Sequence, residues 1–106
     1  MVEPRPPAIW SQEALDDLDH LWDYHARVAG RTTADKILRE IARAVAAIDD
    51  FPFAGRSRDE IRAGLRSLAV SPQIVFYRVM NDRPEIVRVL DGRQDIEEIF
   101  SDGENG

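Results

Sequence analysis

A chain of 106 residues, 43% hydrophobic and 32% charged, has room for one domain with a modest core and not for two. It contains no cysteine, which excludes disulfides, thiolate nucleophiles and thiolate metal sites, and no apolar run approaches the ~20 residues of a membrane span. A formal net charge of −6 argues against a protein that holds nucleic acid by itself, because phosphate neutralisation draws on a basic excess.

Residues 1–7, MVEPRPP, carry three prolines and no secretory signal, so the reading is a flexible lead-in to a cytoplasmic protein. Residues 8–10 can make a short edge strand. Ser11 is a natural N-cap, with Glu13 in the first turn favourable to the helix dipole. Ala14, Leu15, Leu18, Leu21, Trp22, His25 and Ala29 then recur at helical spacing until Gly30 can end the helix, while Asp16, Asp17, Asp19 and Asp23 take the other side. Thr32 with Asp35 reads as a capping box for a second helix, whose stripe is Ala34, Ile37, Leu38, Ile41, Ala44, Val45 and Ile48. So short a link makes the two helices antiparallel, and residues 8–51 form an edge strand plus helical hairpin. Phe51 and Phe53 are expected to plug the exit from the hairpin. Residues 53–64 read as a loop with one helical turn near 59–62.

Three β-rich runs follow, 65–70, 74–80 and 85–91, separated by Ser71-Pro72 and by Asn81-Asp82-Arg83-Pro84, both turn chemistry. Residues 64–91 are therefore a three-stranded antiparallel meander, with its middle run apolar enough to be covered on both faces. Pairing Met80 with Glu85 would set Tyr77 opposite Arg88 and Arg78 opposite Val87, leaving one arginine on each face. Ile96, Ile99 and Phe100 allow a short helix docking on the sheet, and residues 101–106 read as an acidic tail. The helices can cover their apolar stripes only with the sheet. The fold class is α+β, a helical hairpin packed on an antiparallel sheet in two layers.

Charge is unevenly placed. Residues 11–51 hold nine acids and five bases, residues 55–95 eight bases and six acids, and residues 96–106 four acids and no base. Of the fourteen bases only Lys36 is lysine. No phosphate-binding glycine loop, metal spacing or nucleophile signature is present, and His20 and His25, five apart on one helix, point about 140° away from each other. Neither metal nor cofactor is expected. Arg56, Arg58 and Arg66 can serve structure alone by pairing with Asp59, Glu60 and acids of the hairpin.

The ordered set Pro52, Gly55-Arg56, Arg58, Glu60-Ile61, Gly64-Leu65-Arg66, Phe76-Tyr77-Arg78-Val79, Ile86-Val87-Arg88-Val89-Leu90, Gly92-Arg93 and Asp95 resembles the toxins of type II toxin-antitoxin modules, the RelE/ParE superfamily, and more closely the ParE branch. With the helical hairpin, the resemblance covers residues 8–100. It implies a RelE/ParE-like fold, a ParD-like antitoxin that wraps the toxin in a hetero-oligomer, operator DNA bound only through that antitoxin, and growth arrest through DNA gyrase. The alternative within the superfamily is a ribosome-dependent, metal-independent mRNA endonuclease. That chemistry needs a proton donor or acceptor beside cations; after Tyr77, which mid-strand reads as core, only carboxylates and arginines follow. No catalytic residue is assigned. Arg66, Arg78, Arg88 and Arg93 are the target-surface candidates, and Leu21, Trp22, Ile37 and Ile41 the antitoxin-binding candidates. Many relatives have His where this chain has Asp91, so that histidine's role does not carry over.

Overall fold

The structure, a computed structural model, describes residues 7–104. Strand β1 (Ile9–Trp10) leads into helices α1 (Gln12–Ala29) and α2 (Arg31–Asp50); strands β2 (Arg56–Ser57), β3 (Arg66–Val70), β4 (Gln73–Met80) and β5 (Arg83–Asp91) follow, and helix α3 (Ile96–Glu104) closes the chain. The sheet order is β1-β5-β4-β3-β2. All neighbours are antiparallel except β1, which lies parallel to β5 and makes the sheet mixed.

Ser11 caps α1 as its side chain chemistry requires. Its Oγ accepts from the Ala14 N–H at 3.0 Å and donates to the Val87 carbonyl at 2.8 Å, so one hydroxyl both starts the helix and fastens it to β5. Gly30, at φ 93°, ends α1 and directly begins α2, a conformation that favours glycine. The capping box at Thr32 does not form: α2 has already begun at Arg31, and Asp35 instead accepts the Trp22 indole N–H at 2.9 Å, tying the two helices together.

The sheet divides two cores. Ala14, Ile41, Val45 and Ile48 of the helices meet Val75, Tyr77, Ile86 and Val89 on one face. On the other, Leu65, Phe76 and Leu90 pack with Phe100 of α3, whose ring stands edge-on to Phe76 at 5.1 Å. Alternation along β4 explains the division, since 74 and 76 face α3 while 75, 77 and 79 face the hairpin. Helix α3 continues through Glu104, so most of the expected acidic tail is helical and only residues 105–106 lie outside the described residues, as do residues 1–6 of the expected lead-in.

Three further expectations are corrected. Met80 pairs with Arg83, not Glu85, because the turn is only Asn81-Asp82, at φ 54° and 62°, the left-handed pair that a two-residue hairpin uses and that Asn and Asp tolerate. Pro84 therefore lies inside β5 opposite Val79, its missing N–H on the side away from β4. Tyr77 falls opposite Ile86 and Arg78 opposite Glu85; a bulge leaves Val87 without a partner and sets Phe76 opposite Arg88. The region read as loop 53–64 contributes a fifth strand, β2. Finally, Phe51 and Phe53 do not plug the hairpin: both are exposed, and the buried residue between them is Pro52.

Candidate functional site

The segment 51–55 is clamped from beneath. The fully buried Tyr77 donates its hydroxyl to the Pro52 carbonyl at 2.8 Å and accepts the Gly55 N–H at 2.9 Å. Burial pushes the Tyr77 hydroxyl pKa up, so the group stays protonated, a structural donor as the mid-strand reading implied. Arg66 reaches over the same segment, with Nη1 donating to the carbonyls of Phe53 at 3.1 Å and Gly55 at 2.7 Å while its guanidinium stacks on Phe53. Arg58 and Arg62 lie likewise over Phe76 and Phe100, so three arginines at four-residue steps staple the 58–66 stretch onto phenylalanines. Arg58 also pairs with Glu60 at 2.8 Å, as the structural reading of the loop arginines expected, whereas Arg66 holds backbone carbonyls rather than acids.

A second constellation lies at the seam of α1 and β5. Because β1 is two residues long and pairs only Glu85 and Ile86, the rest of β5 has an open edge. Asp17 covers it: Oδ2 accepts the Val89 N–H at 2.9 Å, and both carboxylate oxygens take Arg88 at 2.8 Å. The hydrogen-bonded Asp17 carboxylate raises the Arg88 pKa, so the guanidinium is firmly charged. The reading that set Asp17 with the other aspartates on the outer side of α1 is thus corrected, for its side chain is only 10% exposed. Beyond it a cleft of about 510 Å³ runs between helix and strand, lined by His20, Leu21, Tyr24, His25, Arg88 and Arg93 among others. His25 is half-buried there, its Nε2 3.3 Å from the Gln73 side-chain nitrogen, while His20 is exposed.

The four target-surface candidates do not form one patch. Arg88 and Arg93 share the seam cleft. Arg66 pairs across the ladder with Tyr77 and so faces the hairpin, whereas its neighbour in the count, Arg78, faces the opposite side and bonds Glu85 at 2.9 Å. Among the antitoxin candidates, Leu21 lines the cleft, Ile37 is half-buried against the core, and Trp22 is held by Asp35. Ile41 is 1% exposed and is core, which removes it as a docking surface.

Residues 8–96 match the family model described as the ParE toxin of the type II toxin-antitoxin system, parDE. The chain belongs to the ParE toxin family. It is 38% identical over 80 residues to Toxin ParE1 of Caulobacter vibrioides, covering 76% of this chain and 82% of that protein. It is 35% identical over 88 residues to Toxin ParE1 of Mycobacterium tuberculosis, covering 82% and 90%. A solved structure titled as a chromosomal ParDE TA system from P. aeruginosa superimposes with a TM-score of 0.72 at 23% identity, covering 84% of this chain and 98% of that one, and shows the shared fold. No helix among the described residues is long and apolar enough to cross a membrane.

Asp91, just before the Gly92-Arg93 pair, is an acid engaged locally. Asp91 takes Arg93 through both oxygens, at 2.9 and 2.7 Å, and the Arg93 guanidinium holds its carboxyl at about 2, well below the usual value of 3.8. A carboxylate whose folded pKa is depressed contributes stability above its unfolded pKa, and that contribution is lost as pH falls from 3.8 towards about 2. Arg93→Ala is expected to return the Asp91 titration towards the ordinary range and to remove this part of the acid limb. An NMR titration of the Asp91 carboxyl checks it; an unchanged midpoint in the variant would show that Arg93 is not the cause.

Proposed function

We propose that the chain arrests growth by binding and inhibiting DNA gyrase in the cytoplasm, and that a ParD-like antitoxin neutralises it in a hetero-oligomer that reaches operator DNA through the antitoxin. The observation that carries the reading is how the sheet arginines are used. Arg66 is committed to two backbone carbonyls, and Arg78, Arg88 and Arg93 to Glu85, Asp17 and Asp91. The one tyrosine of the sheet is buried in the core with its hydroxyl doubly bonded. Strand scission would ask these cations and a proton-transfer group to converge on a phosphate, whereas inhibition of a protein asks only for shape and a few central contacts.

For the antitoxin, support comes from the seam cleft with Leu21 on its wall and from the acids of α1 beside it. A disordered segment that folds into a groove suits both, provided that it carries basic residues. Purified toxin is expected to inhibit gyrase supercoiling or trap cleaved DNA, to leave a labelled message intact on programmed ribosomes, and to lose inhibition when the antitoxin is added. Codon-positioned cuts in the message with gyrase unaffected would overturn the reading.

A further inference from the structure

We propose that the surface carrying Phe53 and Arg66, with Phe51 just before it at the end of α2, is a docking platform for an acidic, apolar segment of the toxin's protein target, distinct from the acidic face of α1. This rests on the reading that the toxin acts by binding a protein. Phe51 and Phe53 are 67% and 63% exposed, two aromatic side chains presented within three residues of each other. The backbone that presents them is held by four hydrogen bonds, two to the Tyr77 hydroxyl and two to Arg66. A surface so fixed loses little conformational entropy when a partner arrives. Phe53 also shares a shallow depression of about 280 Å³ with Ser57, Asp59, Leu65, Arg66 and Val79, in which the Asp59 carboxylate is already taken by the Ser57 hydroxyl and the Gly64 N–H.

Charge selects the partner. Arg66 has no carboxylate of the described residues within 4.0 Å, unlike Arg78, Arg88 and Arg93; Asp59 feels its charge only at longer range. Arg66 gives Nη1 to the two carbonyls and pairs directly with no carboxylate of the described residues, so the rest of its guanidinium, lying over an exposed ring, matches a carboxylate flanked by apolar residues. Helix α1, with Glu13, Asp16, Asp19 and Asp23, matches the opposite sign. One chain thus offers two surfaces of contrary preference, and the segment that suits the hairpin does not suit the platform.

The test uses the full toxin, expressed in cells and purified alone and with the co-encoded antitoxin. Phe51→Glu and Phe53→Ser are expected to weaken growth arrest and target inhibition at least about tenfold, as removal of a central contact does, while Phe51→Lys weakens them less than Phe51→Glu. Antitoxin affinity should stay at the wild-type level in all three, since neither phenylalanine lines the seam cleft. Melting temperature should stay there in the two Phe51 variants, whereas Phe53→Ser loses the Arg66 stack and should melt slightly lower. Growth arrest is read independently of the target's identity. A wild-type toxin that arrests growth without touching gyrase therefore defeats the gyrase reading and still judges the platform. Undiminished growth arrest in Phe51→Glu and Phe53→Ser would overturn the platform. An equal loss of antitoxin affinity would also overturn it, by assigning the surface to the antitoxin. A wild-type chain that arrests no growth would remove the target and the platform together.

Discussion

Asp17→Ala is expected to lower the unfolding free energy by roughly 3 kcal/mol, because it strands a half-buried guanidinium and an edge N–H at once. The Arg88 side chain is 21% exposed and takes both oxygens of Asp17; among the described residues the remaining acid within reach is Glu13, at 3.5 Å and 67% exposed, a poor substitute. Val89 N–H would lose its acceptor in the same step. Asp17→Asn keeps an acceptor for Val89 and should cost less, and Glu13→Ala should cost under about 1 kcal/mol as a surface partner. Urea denaturation of the three variants ranks them, and an Asp17→Ala toxin as stable as wild type would show that the seam is held by packing alone. The same pairing governs how Arg88→Ala is read. A loss of about 2 kcal/mol in that variant would mean that any loss of growth arrest reports a loosened β5 edge rather than a missing target contact.

Gly55→Ala is expected to destabilise by about 3 kcal/mol or more, through overpacking and through the loss of buried hydrogen bonds. A Cβ at position 55 would fall on the Tyr77 hydroxyl and within 2.7 Å of its ring carbon Cε1. The ring cannot withdraw, since Tyr77 is 0% exposed and packed among Val75, Ile86 and the helix residues Ile41 and Ile48. Tyr77→Phe removes the hydroxyl and leaves the Gly55 N–H and Pro52 carbonyl without it, at a cost of roughly 2 kcal/mol. Combining the two changes should cost less than their sum, because the phenylalanine makes the room that the alanine needs. Additive losses in denaturation experiments would place the strain of Gly55→Ala elsewhere than on Tyr77.

Much of the architecture was legible locally. Ser11 as cap, Gly30 as the end of the first helix, the stripes of α1 and α2, the three long strands and the docking of Phe100 each follow from a signal a few residues long, a cap, a 3.6-residue period or an apolar run. The family motifs pointed to the same fold, and Tyr77 was rightly assigned to the core. The hairpin register was misread because Pro84 was counted as part of the turn. Asn81 and Asp82 already supply both left-handed residues that a two-residue turn needs, and an edge-facing N–H is one a strand can spare.

What stayed hidden depends on partners far along the chain. Asp17 carries the same one-residue signal as Asp16 and Asp19, yet it bonds Arg88 across 71 positions, because β1 ends after two residues and leaves the Val89 N–H open just where α1 passes. Ile41 and Ile37 sit on one helical stripe, and only the sheet beneath decides that the first is sealed and the second half-open. Phe51 and Phe53 are apolar, which argues for burial; Pro52 and Gly55, drawn down by the Tyr77 hydroxyl, turn both rings outward instead. Composition and periodicity determine which residues prefer to leave water. Which of them succeed is decided by where the backbone hydrogen bonds of distant segments must be completed, and that is a property of the assembled sheet.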